Sequence, residues 1–307
     1  MSKLDVICIG SATQDSIAAV PRMPGADERL LADEFVNAGG GPAATAAVTL
    51  ARLGVSVGFC GVIGDDDAGV RVRASLEQEG VDVRWLRVKS GARTAQSSII
   101  VSGDARAIVA WPAAEPAADE IPIRESTWLH VDQTGFAPTL TALRNAASSP
   151  SGSSGVRLSV DAGNPLPESD LTGVDLFVPS VVSLRSRYPE ATSLSEAFDA
   201  AQNEGARAVI ATDGEHGSHV RSDGREIHVD AFNGPVVSTL GAGDVFHGAL
   251  IAALVWGHSL EAAVSSASAV AALSCRALDG RSAIPDRDEL DRFLSARTTP
   301  WPLTVTN

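Results

Sequence analysis

The residues best suited to chemistry stand in the stretch VSTLGAGDVFHGAL (Val237 to Leu250), where Gly241, Ala242 and Gly243 precede Asp244 and a run of helix formers follows. The first N–H groups of a helix have no partner inside it, and the helix dipole adds partial positive charge there. Gly and Ala leave those amides open to an anion. A carboxylate at the same end can accept a proton from a nearby hydroxyl. Amides that stabilise charge on a moving phosphoryl group, beside a base that deprotonates an alcohol, suit phosphoryl transfer. On these four residues alone, an acidic residue in the first helical turn after a glycine loop explains the pattern at least as well.

Several elements have to position that centre. DVICIG reads as a buried first strand, GPAATAAVTLARLG as a helix stopped at Gly54, VSVGFCGVIG as a strand and DAGVRVRASLEQEG as a helix ended by Gly80. Strand and helix alternate again through TWLHVD, APTLTALRNAA, VRLSVDAG, VDLFVPS and ARAVIATDG. Such alternation predicts an α/β fold with a mainly parallel sheet and helices on its faces. Two Ala-rich helices are expected over 242–256 and 260–275. The segments 16–38 and 92–111 break the pattern with short alternating runs and turns, as antiparallel strands do. Together they predict a small β-layer beside the main sheet, able to act as a lid that excludes water. The Ser/Gly-rich SSPSGSSG (Ser148 to Gly155) reads as a surface connection.

Composition narrows the function classes. The chain has 307 residues, 44% of them hydrophobic and 20% charged, in line with a globular protein that has a sizeable core. A formal charge of -14 argues against nucleic acid or an anionic membrane as a partner, while leaving room for a small phosphate ligand held by backbone amides. Cys8, Cys60 and Cys275 stand singly in apolar settings, as buried reduced thiols do. The apolar run in MSKLDVICIG is too short for a signal peptide, and a cytoplasmic location is expected.

With these residues in view, the sequence resembles the ribokinase-like (PfkB) family of carbohydrate and nucleoside kinases. Its C-terminal signature is matched by GAGDVF, and its N-terminal signature by GGGPAATAAVTLARLG, followed by GVIGDDDAG and EGVDV. VIATDGEHGSHV resembles the nucleotide-side strand and turn, and GRSAIP the closing segment. The likeness runs from Val6 to about Pro285, with its motifs closest to the branch that includes sulfofructose kinase. It implies a ribokinase-like three-layer sandwich over 1–307. Segments of about 13–38 and 92–111 would form the lid, and an ATP-binding half would span about 160–290. It also implies ATP and Mg2+ as cofactors, a sugar substrate of ketose type, and a homodimer formed through the lid.

Roles carry over residue by residue. Asp244 is expected to be the general base, with Gly241, Ala242 and Gly243 as the anion hole. Asp15, Gly40, Gly41 and Thr45 match substrate-side positions, Thr45 standing where many members have Asn. Asp132, at the end of a predicted strand, is a candidate sugar contact. Arg29, in the lid, is a candidate for gripping an anionic substituent. Thr212, Gly214, Gly217 and Gly243 match the ATP phosphate side, and Ser268 falls near the adenine position. His247 shares a helix face with Asp244 and reads as packing or support.

Departures from the family pattern are local. Ser238 replaces the Asp that helps bind a monovalent cation, which puts potassium activation in doubt. Leu240 replaces a polar residue before the glycine. Ser180 and Ser183 stand in place of the Asn and Glu that organise waters around magnesium, so the metal ligands are open and Glu215 is a possible substitute. Gln133 and Ala110 differ from the sulfofructose-type branch. Two further readings stay open: a sugar or nucleotide sensor that lost turnover, and a nucleoside kinase. A dinucleotide-dependent oxidoreductase is disfavoured, because GSATQD rather than a G-x-G-x-x-G turn follows the first strand.

Overall fold

The computed structural model describes residues 3–103, 105–148, 155–167, 170–296 and 304–305; most of the SSPSGSSG connection lies outside them. Strand β1 (Leu4–Ile9) shows why the first apolar run lacks polar alternation. Val6 and Cys8 pack into the hydrophobic cluster on one face of the sheet, Ile7 and Ile9 into that on the other. Both faces are buried, as in parallel sheets covered by helices.

The chain continues through β2 (Thr13–Ala19), β3 (Glu34–Gly40), α1 (Pro42–Arg52), β4 (Val57–Gly64), α2 (Asp67–Gln78) and β5 (Asp82–Lys89). Then come β6 (Gln96–Ser102), β7 (Ala105–Trp111), β8 (Ser126–Val131), α3 (Phe136–Ala147), β9 (Arg157–Ala162) and β10 (Leu176–Pro179). Helices α4 (Val181–Arg187) and α5 (Leu194–Asn203) precede β11 (Ala208–Thr212), β12 (Ser218–Ser222) and β13 (Arg225–Val229). Helices α6 (Ala242–Val255), α7 (Leu260–Ser274) and α8 (Arg287–Ser295) follow, then the short β14 (Thr304–Val305).

The large sheet has the order β14-β13-β12-β11-β10-β9-β8-β1-β4-β5. From β11 across to β5 it is parallel, and β12, β13 and β14 add antiparallel pairs at one edge. Helices α1, α2, α6, α7 and α8 pack on one face; α3, α4 and α5 pack on the other. The expected three-layer α/β sandwich is therefore present. The two Ala-rich helices end within one residue of their expected C-termini. Side-chain caps stop the ends from fraying: Asp66 accepts from Gly69 N–H, and Ser193 from Glu196 N–H.

The second sheet, β3-β2-β6-β7, comes from the two segments read as a separate β-layer. Its inner face, with Ile17, Ile99 and Val101, packs on Leu278 and Leu240. That contact explains Leu240: an apolar residue there holds the small sheet against the loop that leads into α6. Arg106 Nη1 also donates to Thr239 Oγ1 in that loop, at 2.9 Å. The sequence reading did not identify β5 or the β12–β13 hairpin as strands. Their alternating exposed and charged residues (Arg84, Arg87, Lys89; Arg221, Arg225, Glu226) belong to a sheet margin, which the search for buried runs passes over.

Candidate active site

Helix α6 begins where the sequence places it. Its N-cap, Gly241, is left-handed (φ 74°), and a β-carbon there would stand 2.8 Å from the Cα of Gly280, so geometry and space both demand glycine. Ala242 N–H donates to Thr239 C=O, and Val245 N–H closes onto Gly241 C=O. Between them the N–H groups of Gly243 and Asp244 have no acceptor among the described residues. Gly243 is exposed, and nothing lies within 4 Å of where its β-carbon would stand. Two open amides at a helix N-terminus suit an anion.

Asp244 sits half-buried on the same turn. Burial first, and the charge of Asp161 second, push its carboxyl up to about 7, while His247 pulls the other way. Asp161 is the residue the sequence reading passed over. It is the penultimate residue of β9, near the carboxyl edge of the sheet, where ligands bind in open α/β folds. That position was the available signal.

The small sheet brings Asp15 to the site. Its Oδ1 accepts from Thr13 Oγ1 at 2.7 Å, and its β-strand register sets it beside Ser97 of β6. A β-carbon on Gly40 would run into the Asp15 carboxylate, so the glycine makes room for it. Burial raises the proton affinity of Asp15, while Thr13, Ser97 and Arg281 oppose the rise. Gly41 caps α1 with φ 89°.

Thr45, expected on the substrate side, lies against Arg281. It is 2% exposed, and its Oγ1 accepts from Arg281 Nε at 3.1 Å. Arg281 Nη2 donates to Gly40 C=O at 2.7 Å. This buried guanidinium is lowered to about 10 by burial against the pull of Asp15 and neighbouring acids, and nothing in the GRSAIP stretch by itself marks it.

Asp132, the candidate sugar contact, is wholly buried in the structure. Its Oδ2 accepts from Ser11 N–H, Ser11 Oγ and Ala43 N–H (2.8, 2.7 and 3.3 Å), its Oδ1 from Thr134 N–H and Gly135 N–H (2.8 and 3.1 Å). Five donors saturate the carboxylate. Asp132 ties together the end of β1 and the starts of α1 and α3.

The remaining candidates lie as follows. Arg29 is exposed in the segment between β2 and β3, without an ion-pair partner among the described residues. Thr212 ends β11, and Gly214 and Gly217 turn the chain into β12; a β-carbon on Gly217 would strike Val229 C=O. Packing therefore accounts for Gly217 by itself. Ser268 is half-buried on α7, and Glu215 is exposed. Ser238 Oγ accepts from Leu240 N–H at 3.1 Å. Ser180 caps α4 and donates to Ser183 Oγ at 2.8 Å; Ser183 in turn donates to Gly163 C=O at 2.8 Å. Gln133 Oε1 accepts from Asn164 Nδ2 at 3.3 Å. Among the described residues no group of three or more His, Cys, Asp or Glu is set to hold a metal ion, and no helix is long and apolar enough to cross a membrane.

Comparison with known proteins identifies the family. The pfkB family carbohydrate kinase pattern matches residues 3–287. The ATP-dependent ribose-1-phosphate kinase of Halopiger xanaduensis is 32% identical over 306 residues, covering 95% of this chain and 98% of the relative. Ribokinase of Bacillus subtilis is 25% identical over 296 residues, covering 95% and 99%. The crystal structure of Thermotoga maritima ribokinase superposes with a TM-score of 0.82 at 26% identity, covering 95% of this chain and 99% of that one. The chain belongs to the pfkB family of carbohydrate kinases, phosphotransferases that act on hydroxyl groups.

Proposed function

We propose that this kinase moves the γ-phosphoryl group of ATP to a hydroxyl of a sugar or sugar derivative, with Asp244 as general base. One observation carries the reading: two open amides stand on the same helical turn as a carboxylate raised to about 7. Gly241 and Ala242 shape the anion hole, and the amides of Gly243 and Asp244 line it. A base of that proton affinity is partly ionised at neutral pH and takes the hydroxyl proton as the new O–P bond forms.

Asp15, with Gly40 and Gly41 at its side, offers the sugar two acceptor oxygens. Thr45 serves the site through Arg281. Arg29 lies in the segment that closes above. Thr212, Gly214 and Gly217 form the nucleotide turn, with Ser268 near the base. Magnesium, when it arrives with the nucleotide, neutralises phosphate charge. The hydroxyls of Ser180 and Ser183, with both protons already donated within the chain, would meet the ion's waters only as acceptors. Ser238 supplies no charge for a monovalent cation. A cytoplasmic site of action suits the need for ATP.

The branch likeness of the motifs supports a ketose-type acceptor. A second reading is a sugar that already carries phosphate. It is favoured by the buried cation Arg281 beside Asp15 and by the similarity to a ribose-1-phosphate kinase. ADP release with Mg·ATP, measured across neutral ketoses, aldoses, nucleosides and pentose phosphates, separates them. Turnover at least about tenfold better with neutral ketoses supports the first reading, and the reverse order supports the second. No ADP release with any acceptor removes both.

We also infer a homodimer through the small sheet. Every residue of β7 is exposed on an open edge, and Ile108, Val109 and Trp111 make that edge apolar. Light scattering should give twice the mass of the chain; the mass of a single chain would contradict the dimer.

A further inference from the structure

Under Asp244 lies a row of buried polar groups for which the phosphoryl-transfer reading has no use so far. His247 follows Asp244 by three residues on α6, so the two share a helix face. Its Nε2 lies 3.2 Å from Oδ1 of Asp161, and each of these side chains is only 5% exposed. The same Oδ1 accepts Gly163 N–H at 2.8 Å. Beyond His247, with ring centroids 5.4 Å apart, is the fully buried His130 of β8, whose Nδ1 is 3.3 Å from Ser159 Oγ. His247 Nδ1 and His130 Nε2 are buried with no hydrogen-bond partner among the described residues.

The protonation states of this row follow from its contacts. Burial alone pushes His247 towards neutrality, but Asp161 beside it more than offsets that, and the net shift is upward. For Asp161, burial acts upward and His247 outweighs it, so the carboxyl ends low. His130, pushed down to about 3 by burial and by the charge of His247, is neutral.

We propose that His247, held by Asp161, is a positioning residue: as an imidazolium one helical turn below Asp244, it favours the carboxylate form of the base. The surroundings of Asp244 show the need. Burial, Asp161 on β9 and Asp132 after β8 all oppose ionisation; His247 on α6 and Arg281 in the closing segment favour it. Arg281 is tied to Gly40 and Thr45 and shares its charge with Asp15, Glu79 and Asp279. His247 is the larger of the two favourable influences. The proposal rests on the reading of Asp244 as base.

The test is the kcat–pH profile of His247→Gln. The Gln amide can still donate to Asp161 but carries no charge. Loss of the cation makes Asp244 harder to ionise, so the acid limb should move upward by about one pH unit. The loss of kcat should be larger at about pH 6 than at about pH 8. A purely structural His247 would lower Tm and leave the limb in place. NMR titration of labelled histidine in the unaltered protein gives a reading that needs no variant, with His247 expected to be protonated at neutral pH. A folded His247→Gln enzyme with an unmoved limb, or a neutral His247 at pH 7, overturns the proposal. If Asp244→Asn keeps full activity, the base reading itself has failed; if only the limb is unmoved, that reading stands and His247 loses its role.

Discussion

Asp244→Asn is expected to lower kcat by about a thousandfold while ATP affinity stays within about threefold of the original. The asymmetry follows from how the site is built. Asn keeps the size of the side chain and the start of α6, so the open amides of the proposed anion hole are retained. It cannot take the hydroxyl proton. Titration calorimetry for ATP and steady-state turnover with the best acceptor separate the two quantities. Because the Asp244 carboxyl is raised to about 7, turnover of the unaltered enzyme should climb with pH through that value and level off above it. The carboxylate form is the active one, so the limb lies on the acid side. Unchanged turnover in Asp244→Asn would remove Asp244 as the base.

The second large effect is on stability. Asp132→Ala should destabilise the fold by roughly 3–5 kcal/mol, because it strips the acceptor from buried donors on three elements at once. Ser11, Ala43, Thr134 and Gly135 would all lose their partner. Thermal unfolding should show Tm lower by about 5–10 °C. Asp132→Asn keeps one acceptor oxygen and should lose less. If Asp132 were a sugar contact instead, both variants would raise KM and leave Tm alone; that outcome would contradict the assignment.

These residues also show what sequence can and cannot disclose. The centre at Gly241–Asp244 was legible because its causes are local: a left-handed turn, an open first helical turn and an acidic residue within it. The alternation of buried strands and helices was legible for the same reason, since each element carries its own period. The small β-layer was legible from a break in that period. Arg281 was not, because its partner Thr45 is 236 residues away and no spacing rule joins them. Asp161 lies next to the end of an ordinary buried strand, and only the fold brings it against His247. Asp132 had the right place at a strand end for a ligand contact, yet the backbone turns of three elements use up its oxygens. Leu240, odd in the motif, makes sense only against the inner face of the small sheet.

The phosphorus balance of one reaction tests the central claim most directly. Enzyme, Mg·ATP and the acceptor selected from the sugar panel are followed by phosphorus NMR. A phosphoryl transferase with Asp244 as base gives ADP and a sugar phosphate monoester in equal amounts, and Asp244→Asn gives neither at a comparable rate. ATP that binds without turnover, or ADP that appears with inorganic phosphate alone, would contradict it.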